Sequence, residues 1–267
     1  MNHREKEYQG LVAFDLDHTL LDHNSWRITP SALEGIAKLR EKNYLVVIAT
    51  GRDMKNQMSI KYLREVDPDA LIHMNGTMVE LRDQILLDHK MDRNLLRRVL
   101  SFAFLNRLAL GARVEEQDYF TFPEIVQSFD QMYWGFHDRH FQDPMKLLEL
   151  HVRSLAYYGE AEGAEKLQYA FPELKVLMFA NNVGADVCEA EFSKAEGIKR
   201  VCAHYGIDLA HTYAFGDSMN DLEMLEKVAV GVAMGNAVDA AKAVADYVTD
   251  PIDEDGIAHA LQHFGLI

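Results

Sequence analysis

The chain has 267 residues, enough for one large domain or for a domain that carries an inserted partner. With 48% apolar and 26% charged residues it has the composition of an ordinary globular protein, and no apolar run reaches the length of a membrane span. A formal net charge of −15 argues against nucleic acid or an anionic membrane as a partner. It leaves room for a small phosphorylated ligand, because a bound divalent cation dominates the field locally.

The opening Met1-Asn2-His3-Arg4-Glu5-Lys6 leads towards the first strand without a signal-peptide core, so a cytoplasmic protein is expected. Leu11-Val12-Ala13-Phe14 reads as a buried strand that ends in the acidic Asp15-Leu16-Asp17. Thr29-Pro30 starts a helix, with an amphipathic pattern over 31–42. Leu45-Val46-Val47-Ile48-Ala49 is apolar without alternation, as strands buried on both faces of a parallel sheet are. A helix over 53–63 and a third core strand at 70–74 follow.

The last third repeats the alternation. Residues 193–205 read as helix, 212–215 as strand, 221–227 as helix and 228–232 as strand; a helix from 237 and a short strand at 247–249 complete it. This is a doubly wound, mainly parallel, Rossmann-like α/β pattern, interrupted in the middle. The interruption, 83–184, has helical stretches at 94–106 and 161–170 and strand candidates at 145–150 and 174–180. We read it as an inserted α+β domain that rejoins the parent sheet near Asp186, leaving 1–82 and 185–267 as a discontinuous core. Cys188 and Cys202 are the only cysteines, so buried thiols rather than a disulfide framework are expected.

Four local features carry chemistry. Asp15 and Asp17 stand at the end of a parallel strand, where α/β sheets place ligands. One carboxylate there suits attack on phosphorus, and the other suits proton transfer to the leaving oxygen and from water. Alone, such a pair serves equally well as a solvated loop or helix cap. Thr50-Gly51-Arg52 follows the second strand and offers a hydroxyl and backbone N–H groups to phosphate, though Thr-Gly often merely ends a strand. Lys194 lies near a helix start, where its charge would neutralise a phosphoryl oxygen together with the nucleophile; a lone helix lysine is otherwise ordinary surface. Gly216-Asp217-Ser218-Met219-Asn220-Asp221 again delivers carboxylates at a strand end. Asp15, Asp217 and the Asp17 carbonyl would suit Mg²⁺, which takes few protein carboxylates.

In this order, Asp-x-Asp, Thr-Gly-Arg, Lys and Gly-Asp-x-x-Asn-Asp resemble the haloacid dehalogenase superfamily of phosphatases, most of all its Cof-type, class IIB branch. The resemblance covers about 11–76 and 186–267, including Val232-Ala233-Met234-Gly235-Asn236-Ala237 and Asp253-Glu254-Asp255-Gly256-Ile257-Ala258. It implies Asp15 as nucleophile, Asp17 as general acid/base, and Thr50 and Lys194 as phosphate binders helped by Leu16, Gly51 and Asn220. It further implies Mg²⁺ on Asp15, Asp17 and Asp217, with Asp221 as ligand or support, and Arg52 and Asn75 near the substrate. The expected substrate is a small phosphorylated metabolite such as a sugar phosphate, the insert acts as a specificity cap, and the enzyme is a monomer or small homo-oligomer. His18, Glu191 and Ala195 depart from the pattern where glycine is usual, without removing a reacting group.

Three other readings remain open: a phosphomutase, a receiver-type switch and a catalytically dead phospho-metabolite sensor. The second carboxylate Asp17 speaks against the switch. Within the insert, His137 and His140 share a helical spacing but lack further metal ligands, and Tyr133, Trp134 and Phe136 form an aromatic cluster more typical of core. Arg139 and Arg153 are read as solvated rather than as substrate contacts.

Overall fold

The computed structural model describes residues 7–56, 59–135, 139–179 and 182–267, without the Trp134 side chain. Residues 1–6, and with them the leader reading, lie outside the described residues, as do Phe136 and His137.

Two compact units emerge, one of residues 1–87 and 193–267 and the other of 88–192. The first opens with strand β1 (Gly10–Phe14), a small hairpin of β2 (Leu21–Asp22) and β3 (Arg27–Ile28), and helix α1 (Pro30–Glu41). Then come β4 (Tyr44–Ala49), α2 (Ile60–Val66), β5 (Ala70–His73), β6 (Met78–Leu81) and β7 (Ile85–Asp88). The second unit holds α3 (Arg93–Asn106), β8 (Ala109–Val114), β9 (Gln117–Phe120), α4 (Pro123–Phe129), β10 (Leu155–Tyr158), α5 (Ala161–Ala170), β11 (Leu174–Met178) and β12 (Ala185–Glu189). The chain then completes the first unit with α6 (Lys194–Tyr205), β13 (Thr212–Gly216), α7 (Leu222–Lys227), β14 (Val230–Ala233), α8 (Asp239–Val244), β15 (Tyr247–Val248) and α9 (Gly256–His263).

The eight strands of the first unit run in the order β15-β14-β13-β1-β4-β5-β6-β7. They are parallel from β15 to β5, and β6 turns back antiparallel. Alternate residues of each strand face opposite helix layers. Val12, Phe14, Val46 and Ile48 pack with Ile36 and Leu39 of α1 and Leu261 of α9. Leu11, Ala13, Leu45 and Val47 pack with Ile198 and Val201 of α6. Burial on both faces is why these strands lack polar alternation. Order reverses between β1 and its two neighbours, so the C-terminal ends of β1, β4 and β13 meet at a switch point of the sheet.

The second unit is an antiparallel sheet, β11-β12-β10-β8-β9, with its own core around Leu96, Val99, Leu110, Leu155, Leu167 and Val187. Three sequence expectations are corrected here. Residues 185–189 do not rejoin the parent sheet: β12 pairs with β10 and β11, so the unit extends to Phe192. The strand expected at 145–150 is a 3₁₀ turn over Pro144–Glu149, started by Pro144 and by the Asp143 carboxylate accepting from Met145 N at 2.9 Å. The helix expected over 53–63 begins only at Ile60, because Asp53 and Asn56 form their own local bonds, Lys55 N to Asp53 Oδ1 at 2.9 Å and Ser59 N to Asn56 Oδ1 at 2.9 Å. Cys188 and Cys202 are both buried and form no disulfide. Among the described residues no helix is long and apolar enough to cross a membrane.

Candidate active site

The end of β1 delivers Asp15, whose backbone N donates to Phe215 O of β13 at 2.9 Å. Lys194, the first residue of α6, is 0% exposed, and its Nζ donates to Asp15 Oδ1 at 2.6 Å and to Asp221 Oδ1 at 2.7 Å. A cation in the first turn of a helix opposes the helix dipole, so the two carboxylates are what hold it there. The other Asp221 oxygen accepts from the backbone N of Asp217 and of Ser218, both at 3.0 Å, which fixes the turn after β13. Gly216 is needed at that turn, since a Cβ there would stand 2.6 Å from the Asp221 side chain. Asp217 is buried and its Oδ1 accepts from Thr19 Oγ1 at 3.0 Å.

Asp15, Asp217 and Asp221 thus bring one carboxylate oxygen each within 4.8 Å of one another, all buried. One ammonium cannot neutralise three carboxylates. Burial pushes the Asp15 carboxyl up to about 7, with Asp221 and Asp17 adding to the rise and Lys194 opposing it. Burial, then Asp15 and Asp221, raise Asp217 well above its ordinary value. Burial works against the Lys194 charge, but Asp15 and Asp221 outweigh it and keep the ammonium above the usual lysine range. A buried oxygen cluster with surplus negative charge is the donor set a hard divalent cation takes, so the residues present fit Mg²⁺.

Asp17 faces a different environment. Arg52 Nε donates to its Oδ2 and Nη2 to its Oδ1, both at 2.6 Å, and His23 Nε2 donates to Oδ1 at 2.6 Å. Burial would raise this carboxyl, but the bonds from His23 and Arg52 win and hold it below the usual carboxylate range. Two acids two residues apart are therefore pushed in opposite directions: Asp17 is held ionised, whereas the Asp15 carboxyl needs positive charge beyond Lys194 to ionise fully at neutral pH.

Thr50 is buried at the end of β4, and its Oγ1 accepts from Arg52 N at 3.1 Å. Its carbonyl accepts from Asn75 N at 3.1 Å, and Asn220 Nδ2 donates to Asn75 Oδ1 at 3.0 Å. Met74, Asn75 and Gly76 all have positive φ, and a Cβ on Gly76 would lie 2.1 Å from Ser193 O, so this turn seats directly against the start of α6. Leu16 is buried, with its carbonyl accepting from Leu20 N and Leu21 N. Gly51 is half-buried beside Thr50.

The structure therefore joins Asp15, Lys194, Asp217 and Asp221 in one cluster, Asp17 with Arg52, and Asn75 with Asn220. Sequence reasoning missed Thr19 and His23. The Thr19 hydroxyl was visible within the acidic motif, but its partner lies 198 residues away; His23 carried no signal at all. Arg139, read as solvated, is instead enclosed in the second unit, bonded to Asp130, Asp118 and Tyr158. Arg153 pairs with Asp88.

The family profile described as haloacid dehalogenase-like hydrolase matches residues 12–261. A Bacillus subtilis (strain 168) protein named as a candidate phosphatase, YkrA, is 34% identical over 96% of this chain and 98% of its own length. The HMP-PP phosphatase of Citrobacter koseri is 30% identical over 85% of each chain. The solved structure of a subclass IIB sugar phosphatase, BT4131, superposes with a TM-score of 0.87 at 28% identity, covering 97% of this chain and 100% of the other.

Proposed function

The chain belongs to the haloacid dehalogenase-like hydrolases, and from that premise we propose that it is a Mg²⁺-dependent phosphatase of small phosphomonoesters acting through an aspartyl-phosphate on Asp15. The observation that carries this reading is the buried Asp15–Lys194–Asp221 bridge with Asp217 beside it. It sets one carboxylate at the mouth of the sheet switch point with a cation already in contact.

An Asp15 oxygen attacks phosphorus while the bond from phosphorus to the ester oxygen breaks, and the electron pair leaves with that oxygen. Lys194, the Thr50 hydroxyl and the Gly51 N–H donate to the phosphoryl oxygens as charge develops. Asp17 hands a proton to the leaving alkoxide, then takes one from the water that hydrolyses the acyl-phosphate. Asp15 and Asp217, with the Asp17 carbonyl and Asp221 beside them, are the residues that would hold Mg²⁺; its chemistry when bound is to neutralise phosphoryl oxygens. The grip of Arg52 and His23 supports Asp17 in its ionised, base form. Protonation for the first step then requires that grip to loosen when substrate enters.

The substrates are small phosphorylated metabolites, in line with the names of the relatives. The unit of residues 88–192 contributes to substrate specificity. The test is a panel of phosphorylated metabolites with Mg²⁺, read by phosphate release and product identity. Steady phosphate release that disappears in Asp15→Asn supports the reading. An isomeric phosphoester with little free phosphate would make the enzyme a mutase, and turnover retained in Asp15→Asn would remove the nucleophile assignment.

A further inference from the structure

Three rings gather on and just before the β2–β3 hairpin, and two of them, His18 and Trp26, have no part in the chemistry above. His18 and His23 lie with ring centroids 3.9 Å apart and planes tilted by 38°, and His23 and Trp26 stack at 4.5 Å with planes 22° apart. His23 is the middle ring and also the donor to Asp17. His18 is exposed and Trp26 is 50% exposed. Among the described residues, neither outer ring pairs with any other aromatic.

The backbone makes this arrangement at a cost. His18 has φ 59° and Trp26 φ 55°, the left-handed region that bulky side chains avoid. Glycine would take either position without strain. Both are nonetheless locked: His18 N donates to Leu21 O at 2.9 Å and its carbonyl accepts from Asn236 Nδ2 at 2.8 Å. Asp22 accepts from Asn24 N at 2.8 Å and Ser25 N at 3.2 Å through its carboxylate, and from Trp26 N at 2.7 Å through its carbonyl. A hairpin strut alone would call for neither two strained positions nor a half-exposed indole.

We propose that the His18–His23–Trp26 ring cluster is a specificity platform for the leaving group, and that the substrate's alcohol portion carries a planar unsaturated ring. The inference rests on the phosphatase reading: Asp17 is the proton donor to the leaving oxygen, so rings anchored to Asp17 through His23 flank the alcohol rather than the phosphoryl group. Exposed ring faces bind flat π-systems by stacking and discriminate against puckered rings of the same size. The left-handed His18 and Trp26 are retained because they present those faces.

Benzyl phosphate and cyclohexylmethyl phosphate test this, because both release a primary alkoxide and differ in ring planarity; p-nitrophenyl phosphate reports phosphatase competence. Wild type should prefer the benzyl ester by about tenfold in kcat/KM, the size of a single good stacking contact. Trp26→Leu and His18→Gly, each first shown to melt cooperatively, should bring that ratio to within about twofold of unity. His18→Gly should fold readily, since glycine accepts the backbone angle. A merely structural role would slow both esters equally and keep the ratio. A wild-type ratio near one, or a ratio preserved in both variants, overturns the platform while leaving the phosphatase reading intact. Failure to hydrolyse any of the three esters would overturn that reading and the platform with it.

Discussion

Arg52 holds Asp17 through both carboxylate oxygens, Nε to Oδ2 and Nη2 to Oδ1, each at 2.6 Å. The contact links the Thr-Gly-Arg turn after β4 to the acid assigned to proton transfer. Because the Asp17 pKa is depressed in the folded state, the pair adds stability above the ordinary carboxylate pKa of about 4, and loses it as pH falls below that value. Arg52→Met should therefore cost stability at pH 7, and the cost should shrink progressively once pH falls below about 4, with most of it still present at pH 3 because Asp17 protonates in the fold only well below the ordinary carboxylate range. Thermal melts of both proteins from pH 7 to pH 2 check this; a wild-type advantage that stays constant down to pH 2 would count against it.

For Asp15 and Asp217 the sign is opposite. Their folded carboxyls titrate above the unfolded value, so between about pH 4 and pH 7 the unfolded chain gives up protons first and the metal-free protein loses stability as pH rises. Mg²⁺ would oppose that loss. At a hundredfold excess over its Kd it should raise Tm by about 5–10 °C at pH 7.5, and less at pH 5, where protons compete. Asp217→Asn should abolish most of the shift. Equal Mg²⁺ shifts in wild type and Asp217→Asn would remove Asp217 from the metal site.

Lys194 is enclosed between two carboxylates, so replacing it leaves buried charge without a partner. Lys194→Met should cost about 3–5 kcal/mol in denaturant unfolding. Adding Asp221→Asn to that variant should restore part of the loss, since one of the stranded charges is then gone. Strictly additive losses would show that the two residues do not act as a pair.

The unit of 88–192 has its own core, and the groups proposed to react lie outside it. Replacing 88–192 with a short Gly/Ser linker should leave a cooperatively melting core that hydrolyses p-nitrophenyl phosphate but separates natural phosphoesters less sharply than the full chain. A folded core that keeps the full-length ranking undiminished would show that 88–192 contributes nothing to specificity.

The doubly wound sheet was legible because β4 and β5 are apolar on both faces, which few alternatives explain. Asp15, Lys194, Asp217 and Asp221 were legible as a set because four separate strand and helix ends each offered a charged group in one order. What could not be read was burial: nothing in Ser193-Lys194-Ala195 distinguishes an enclosed ammonium from a surface one. The sheet of the second unit was mostly missed because β8 and β9 carry charged residues that blur the strand pattern: Arg113 pairs with Glu116 in the turn between them, and the buried Asp118 is met by Arg139, 21 residues away. His23 escaped notice because its role depends on a hairpin that folds it back on Asp17.

The covalent intermediate is the most direct test. Asp17→Asn should form the acyl-phosphate from p-nitrophenyl phosphate, whose leaving group needs no proton, and hydrolyse it slowly. Acid quench followed by peptide mass mapping should place one hydroxylamine-labile phosphoryl group on the peptide containing Asp15, and none after the further change Asp15→Asn. Stoichiometric nitrophenol release with no phosphorylated peptide, or a phosphoryl group on any other residue, would contradict the assignment of Asp15 as nucleophile.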